Sequence, residues 1–248
     1  MSHHYLRFDD VHYRYPNGYE ALCGVSFRIT HGEKVALVGA NGAGKSTLLL
    51  HTNGLLMPSQ GGVVLGGIAL TRRTLPLVRQ SVGLVFQDSD NQLFMPTVRE
   101  DVAFGPLNMG LPQEEIDRRV AQALQDVNAA ALADKMTHHL SGGEKRAVSI
   151  ATVLSMSPDI LVLDEPSANL DPASRRTLIN LLRRFSHTKI IATHDLDMVM
   201  DLCSRCIVMK DGSILADAPV PDIFADCALL EEARLEQPLS YCLRHYGR

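Results

Sequence analysis

The stretch GANGAGKS, from Gly39 to Ser46, constrains the fold of this chain more than any other feature. It follows KVALVG, a short apolar run with the pattern of a strand buried on both faces, and it leads into a helix predicted from about Lys45 to Asn53. Glycines allow backbone N–H groups to close around phosphate oxygens, and a helix N-terminus adds a favourable dipole. Strand, glycine loop and helix in this order predict a phosphate-binding loop in an α/β core.

The residue types in this loop indicate how it would hold a nucleoside triphosphate. Lys45 is expected to bridge the β- and γ-phosphates, and the hydroxyl of Ser46 to ligate Mg²⁺. The predicted nucleotide contacts are Gly39, Ala40, Asn41, Gly42, Ala43, Gly44, Lys45, Ser46 and Thr47.

Two adjacent carboxylates follow a second apolar run, ILVLDE, which ends at Asp164 and Glu165. Neighbouring positions at a strand end point in different directions, so the two groups can have separate tasks. We expect Asp164 to hold Mg²⁺ through water and Glu165 to polarise the attacking water as a general base. The pair therefore predicts hydrolysis of the nucleotide.

A second helix start, LSGGEKRAVSIA, runs from Leu140 to Ala151. Ser141 is predicted to be the N-cap, and Gly142 and Gly143 leave N–H groups that a γ-phosphate can approach closely. A chain with its own phosphate loop has little use for another phosphate-binding helix. This helix is therefore predicted to contact the nucleotide of a neighbouring subunit.

The two glycine motifs together resemble the ATP-binding subunits of ATP-binding-cassette (ABC) transporters. The resemblance implies a P-loop NTPase core of the RecA-like type with an antiparallel β edge and an inserted all-helical subdomain. It implies an ATPase that uses ATP and Mg²⁺ and works as a head-to-tail dimer, with Ser141, Gly142, Gly143 and Glu144 completing the partner's site. The usual family residue at the last of these positions is Gln, and here it is Glu144.

The remaining motifs of the family follow in order along the chain. Gln87 matches the glutamine that senses Mg²⁺ and γ-phosphate, and His194 matches the switch histidine. Tyr15 matches the aromatic residue that stacks on adenine, with Tyr13 as its competitor. The segment expected to cross the dimer interface consists of Ala168, Asn169, Leu170 and Asp171.

The order of strand-like and helix-like segments along the chain predicts the domain organisation. Alternating strand and helix segments place residues 1–87 and 159–221 in an α/β nucleotide-binding core. Between 88 and 158 strand-like runs disappear, and residues 114–127 show helical spacing, so this part is predicted to be the helical subdomain. Residues 222–248 are predicted to form a C-terminal helical extension.

Composition excludes several classes of protein. With 24 basic and 28 acidic residues the formal net charge is −4, which argues against a nucleic-acid partner. No apolar run approaches the roughly 18–20 residues of a membrane span, and the opening MSHHYLRFDD lacks a signal-peptide core. His3 and His4 are expected to lie in a frayed, solvated terminus. Cys203 and Cys206 form a CxxC without a second pair at zinc spacing, so we expect them to be structural.

The segment from Phe86 to Leu111 resembles one branch of the family, the energy-coupling factor (ECF) transporters, and the LSGGE signature resembles their cobalt/nickel-uptake members. That resemblance implies a homodimer, or a heterodimer as in the vitamin systems, on the cytoplasmic face of the cell membrane. It would lie beneath a transmembrane T-type subunit and a substrate-capturing membrane subunit. Four acidic residues lie close together in this segment: Asp88, Asp90, Glu100 and Asp101. One or more of them is expected to bind an arginine of the T subunit. A solvated charged face explains these residues equally well.

Several alternatives stay open at this point. The transporter could carry a vitamin or another cargo, or be an ordinary ABC importer or exporter. A soluble ABC ATPase of DNA repair or the ribosome usually has coiled-coil insertions or tandem cassettes, and this chain shows neither. A P-loop kinase or GTPase would explain neither LSGGE nor His194, and no guanine-reading NKxD is present.

Overall fold

The computed structural model describes residues 6–245. His3 and His4 lie outside the described residues. Two compact units are present, one formed by the chain up to Arg79 together with the chain from His187 onward, the other by Gln80–Ser186.

Strands and helices alternate through most of the chain. The strands are β1 Leu6–Arg14, β2 Glu20–Ile29, β3 Lys34–Val38, β4 Gln60–Leu65, β5 Ile68–Ala69, β6 Val82–Val85, β7 Ile160–Asp164, β8 Thr188–Ala192, β9 Arg205–Lys210 and β10 Ser213–Pro219. The α-helices are α1 Lys45–Thr52, α2 Leu75–Ser81, α3 Val98–Asn108, α4 Gln113–Asp126, α5 Gly142–Leu154, α6 Pro172–Arg184, α7 Leu196–Leu202, α8 Val220–Ala225, α9 Cys227–Glu232 and α10 Leu239–His245.

The first unit contains both an antiparallel and a mainly parallel arrangement of strands. An antiparallel sheet has the order β2-β1-β4-β5, in which Phe8 on β1 pairs with Phe27 on β2. The parallel set has the order β10-β9-β3-β8, with β3 parallel to both neighbours and β10 antiparallel to β9. In β3, Val35 to Val38 are buried, which confirms the continuous apolar run as a central strand.

The C-terminal segment adds a helical layer to the first unit. Phe224 of α8, Leu230 of α9 and Tyr241 of α10 belong to one buried cluster with Val38 of β3 and Val208 of β9. The short amphipathic helices predicted after residue 222 are therefore present, and their apolar faces cover the strands that carry the phosphate loop.

The second unit combines the parallel pair β6 and β7 with helices α3 to α6. The helical spacing predicted for residues 114–127 is confirmed, because Ile116, Val120 and Leu124 are buried along one face of α4. The unit is wider than the predicted subdomain, since it also contains β6, β7 and α6. The boundaries at 88 and 158 stay a prediction.

Candidate functional site

The phosphate loop joins β3 to α1 through three glycines with positive φ. Gly39, Gly42 and Gly44 have φ values of 148°, 81° and 101°. At Gly39 a Cβ would lie 2.2 Å from the backbone oxygen of Met209, so a side chain cannot be accommodated there. The glycines thus let the loop turn back tightly against β9 while its outer edge, at Asn41 and Gly42, stays exposed.

Lys45, the first residue of α1, is drawn into this loop. Its Nζ donates to the carbonyl oxygens of Gly39 at 2.7 Å and Ala40 at 3.1 Å, and the residue is only 7% exposed. The N-cap of α1 is Gly44, which supplies no side-chain hydrogen bond to the first helical turn. N–H groups of that turn cannot find acceptors within the helix. An anchored cation beside an uncapped helix N-terminus fits a phosphate group.

Tyr15 lies close to the start of α1. Its hydroxyl is 3.0 Å from Oγ1 of Thr47, whereas Tyr13 places its ring edge-on against the buried His51 at 4.9 Å. The ring of Tyr13 thus packs against a buried side chain. Tyr19, which the sequence analysis did not single out, is 53% exposed and donates from its hydroxyl to the carbonyl of Gly42 at 3.2 Å.

Strand register places His194 beside the phosphate loop. Leu37 of β3 pairs with Ala192 of β8 in parallel register, so the residues two positions further on, Gly39 and His194, leave the sheet at the same edge. Asp195 fixes the backbone that follows, because its side chain accepts from the N–H of Met198 at the start of α7. His194 is thus an exposed residue at the edge where the phosphate loop also leaves the sheet.

In the second unit, strand register likewise places Gln87 and the carboxylate pair at one edge of the sheet. Val85 of β6 pairs with Leu163 of β7, so Gln87 and Glu165 follow their strands at a common edge. Glu165 is 7% exposed and has φ of 43°, an unusual conformation for a residue with a side chain. Its carbonyl accepts from the N–H of Ala168, which closes a tight turn after Asp164.

Strand β6 stops at Val85, two residues before Gln87. The strand ends there because side chains form hydrogen bonds with the backbone groups of the next two residues. Arg146 of α5 donates from Nη1 to the Phe86 carbonyl at 2.7 Å and from Nη2 to the Gln87 carbonyl. The N–H of Phe86 donates to Oε1 of Gln92 at 3.1 Å.

Arg146 and Gln92 hold the backbone beside Gln87, and the sequence analysis did not single them out. Arg146 is 5% exposed, and burial lowers the pKa of its guanidinium. Gln92 also donates from Nε2 to the Ser149 carbonyl at 2.7 Å and to Oγ1 of Thr152 at 2.9 Å. Both side chains therefore tie the backbone around Gln87 to helix α5.

The start of α5 confirms Ser141 as the N-cap and gives Glu144 a role. The Ser141 hydroxyl accepts from the N–H of Glu144 at 3.4 Å, and Glu144 accepts from the N–H of Ser141 at 2.7 Å, which together form a capping box. Gly143 packs near α6, where a Cβ would lie 2.7 Å from Oγ of Ser174. A Cβ at Gly142 would meet no heavy atom within 4 Å, so this side of the helix tip is open.

The predicted interface segment, Ala168–Asp171, ends on the N-cap of α6. Asp171 accepts hydrogen bonds from the N–H groups of Ala173 and Ser174 and from the Ser174 hydroxyl, which lower the pKa of its carboxyl. Asn169 has φ of 61°. The Asp171 side chain thus shapes the segment from within, and its role at a dimer interface stays a prediction.

The acidic set expected to receive an arginine needs one correction. Asp101 is 2% exposed and accepts from the N–H groups of Phe94 and Met95, so it cannot reach a partner's side chain. Asp90 is exposed but already pairs with Lys145 at 2.5 Å. Asp88 caps the turn at Ser89–Asn91, and Glu100 completes a capping box with Thr97. Sequence alone could not distinguish a buried structural aspartate from exposed ones.

The environment of the CxxC favours the thiol form of both cysteines. Burial raises the pKa of Cys203 to about 12 and that of Cys206 still further, so both stay protonated and unreactive at neutral pH. Among the side chains described, those of residues 6–243, no cluster of three or more His, Cys, Asp or Glu is arranged to hold a metal ion.

The predicted site residues therefore fall into two sets. Tyr15, the phosphate loop and His194 belong to the first unit. The second unit holds Gln87, Asp164, Glu165, the capped start of α5 and Ala168–Asp171. Over residues 6–245, none of the helices is long and apolar enough to span a bilayer.

Comparison with known proteins shows the family to which this chain belongs. The sequence model of a family described as "ABC transporter" matches residues 22–168. A protein of Geobacter sulfurreducens named as an ABC transporter ATP-binding protein is 62% identical over 240 residues, 97% of this chain and 96% of that protein. The energy-coupling factor transporter ATP-binding protein EcfA of Methanocaldococcus jannaschii is 47% identical over 234 residues, 92% of this chain and 84% of that protein.

A solved structure extends the likeness to the fold. The structure of cbiO1 from Clostridium perfringens, described as part of the ABC transporter complex cbiONQ, superposes with a TM-score of 0.80 at 41% sequence identity. The match covers 92% of this chain and 93% of that one. The α/β core, antiparallel sheet and helices α3 to α5 therefore form an ATP-binding cassette.

Proposed function

Because the chain belongs to the ABC transporter family and is an ATPase of the cassette fold, we propose that it is the ATP-hydrolysing subunit of an ECF-type importer. The cargo we propose is a transition-metal ion, cobalt or nickel. This rests on its likeness to EcfA and cbiO1 over at least nine-tenths of its length. A vitamin cargo is the alternative, since the name of the relative EcfA specifies energy coupling and no cargo.

A bacterial ABC transporter cassette that is 28% identical to this chain is described as dimeric, and we propose a head-to-tail homodimer with two sandwiched nucleotides. The phosphate loop of one subunit would hold each ATP from one side, and Ser141, Gly142 and Gly143 of its partner from the other. One observation carries this proposal: α5 begins at an accessible tip, where a Cβ at Gly142 would meet no heavy atom within 4 Å, although the chain already has an uncapped helix start for phosphate at α1. The second such tip is useful only to another subunit.

Within each site the side chains have distinct tasks. Lys45 would move from the loop carbonyls to the β- and γ-phosphates, exchanging two backbone acceptors for charged ones. The hydroxyl of Ser46, the amide of Gln87 and the carboxylate of Asp164 are hard oxygen donors, which suit Mg²⁺. When bound, Mg²⁺ neutralises charge on the phosphates.

Glu165 is the proposed general base. Its backbone conformation is strained and the residue is largely buried, so its carboxylate has a fixed direction. It would orient the attacking water and take its proton. His194 would contact the γ-phosphate, and Tyr15 would stack on adenine. Closure on ATP and opening after hydrolysis would then move the membrane partners.

We propose that the T-type subunit docks on the surface around Phe94 and Phe104. These rings are 62% and 41% exposed and meet edge to face at 4.8 Å, an apolar pair with water on one side. Exposed Asp90 and Glu100 lie in the same segment and would attract a basic helix. This contact would place the subunit on the cytoplasmic face of the membrane.

Metal uptake by cells that express the whole transporter tests this function. Cells with the native subunit should accumulate cobalt or nickel, cells with Glu165→Gln should not, and the exposed-site control Glu114→Gln should behave as the native protein. Equal uptake with Glu165→Gln would contradict the base. Uptake of neither metal by the native system would overturn the cargo and leave the ATPase assignment intact.

Assembly is tested separately. Phe94→Asp and a Glu100→Lys charge reversal should abolish co-purification of the membrane subunits while leaving ATP hydrolysis by the free subunit unchanged. Asp134→Lys, an exposed carboxylate paired with Arg99, is the matched control. A complex that survives the first two substitutions would sink the docking surface.

A further inference from the structure

Glu144 places a negative charge at the tip of α5. Its carboxylate occupies the third helical position and accepts from the N–H of Ser141, where the helix dipole favours an anion. The same charge would oppose a phosphate approaching this tip, because like charges a few ångströms apart repel by more than the thermal energy outside bulk water. A glutamine could make the same capping bond without that repulsion.

Lys135 supplies the opposite charge at this point. Its Nζ lies 3.2 Å and 3.3 Å from the two carboxylate oxygens of Glu144. The backbone around Lys135 is fixed, since its N–H donates to the Leu132 carbonyl and its own carbonyl accepts from the N–H of Val98. Hydrogen bonds from Ser141 and Lys135 hold the pKa of Glu144 below its usual value of 4.5, so the carboxylate is ionised at neutral pH.

We propose that Lys135 is a positioning residue of the nucleotide site: it neutralises Glu144, so that the carboxylate caps α5 without repelling the phosphates of the partner's ATP. The inference deepens the proposed head-to-tail site and rests on it. On this inference, ATP binding between the subunits requires Lys135 only because residue 144 is a glutamate. The neighbouring Lys145 serves a different carboxylate, Asp90, and is the natural comparison.

A double-variant cycle in the full-length chain tests this dependence. All proteins carry Glu165→Gln to prevent turnover, and the readout is the ATP concentration that gives half-maximal dimer association by sedimentation. Lys135→Met should raise that midpoint about fivefold when Glu144 is present and less than about twofold in the Glu144→Gln background, the pattern of a direct pairwise coupling. Lys135→Arg should retain the native midpoint, because it keeps the charge.

Controls separate this inference from the function beneath it. Lys145→Met removes a charge from the same helix tip region and should leave the midpoint within about twofold. Lys135→Gln repeats the test if the methionine variant does not fold. Equal effects of Lys135→Met in both backgrounds, or no effect in either, overturn the inference. If Ser141→Arg leaves ATP-driven association intact, the head-to-tail site is wrong and this inference falls with it.

Discussion

The side-chain oxygen of Gln92 accepts a hydrogen bond from the backbone N–H of Phe86, with the two atoms 3.1 Å apart. Its amide nitrogen donates to the Ser149 carbonyl and the Thr152 hydroxyl on α5. The residue before Gln87 is thereby attached to the helix whose tip carries the proposed contact to the partner's nucleotide. Movement of α5 would be transmitted to Gln87 through this side chain.

Replacement of Gln92 by leucine should therefore slow ATP turnover. Three hydrogen bonds are lost, and the free energy of unfolding should fall by about 1–3 kcal/mol, since partly buried partners are left unsatisfied. We expect a lower kcat with little change in the affinity for ATP, measured by steady-state hydrolysis and equilibrium binding. Gln122→Leu is the control, because Gln122 bonds to Asp126 on an exposed helix face. Native kcat in the Gln92 variant would show that the link is not used.

Arg146 should be a stability determinant as well as a support for Gln87. Arg146→Met leaves the carbonyls of Phe86 and Gln87 without their charged donor and should lower the free energy of unfolding by about 2–3 kcal/mol. Urea denaturation followed by circular dichroism measures this. Arg99→Met, which removes an exposed pair with Asp134, should cost less than about 0.5 kcal/mol. Equal costs would mean that the buried arginine contributes little.

Glu115 should make the second unit sensitive to acid. Hydrogen bonds from Arg118 and Arg119 lower its pKa from 4.5 to about 2 in the folded state. Because the folded pKa is the lower one, ionised Glu115 adds stability above pH 4.5, and this contribution is lost as the pH falls towards 2. Glu115→Gln should destabilise the protein at pH 7, and the difference should shrink through that window. A difference independent of pH would contradict the ion pairs, and Glu114→Gln is the matched control.

The cysteines should react in the order of their exposure. Cys227 is exposed, whereas burial raises the pKa of Cys203 to about 12. Brief treatment of the native protein with iodoacetamide at pH 8, followed by mass spectrometry, should label Cys227 and spare Cys203 and Cys206. Labelling of all five cysteines after denaturation is the control. Rapid native labelling of the CxxC would restore a chemical role for it.

Local pattern predicted the parts of the site that are built locally. The strand, glycine loop and helix around Lys45 are consecutive in sequence, and so are Ser141 and the helix that it caps. The contacts of Arg146 with Phe86 and Gln87, and of Gln92 with α5, join residues about sixty positions apart and leave no periodic signal.

Burial explains the remaining differences. In the sequence, Asp101 cannot be distinguished from an exposed aspartate. Only the packing of α3 shows that its side chain is buried. The pairing of Lys135 with Glu144 likewise depends on how the segment before α5 folds back. By contrast, the spacing of Ser141 and Glu144 is a readable capping box, which would have assigned Glu144 a structural role from sequence.

Mixed dimers test the central claim most directly, that each ATP is held by two subunits. One chain carries Lys45→Ala and the other Ser141→Arg, both with Glu165→Gln, and neither should associate with itself when ATP is added. In the mixed pair one site combines the intact phosphate loop of the second chain with the intact α5 tip of the first. We predict ATP-driven association of this pair, seen by sedimentation of differently labelled chains. A mixture as inactive as its parents would show that both elements serve the same subunit, and the account would be wrong.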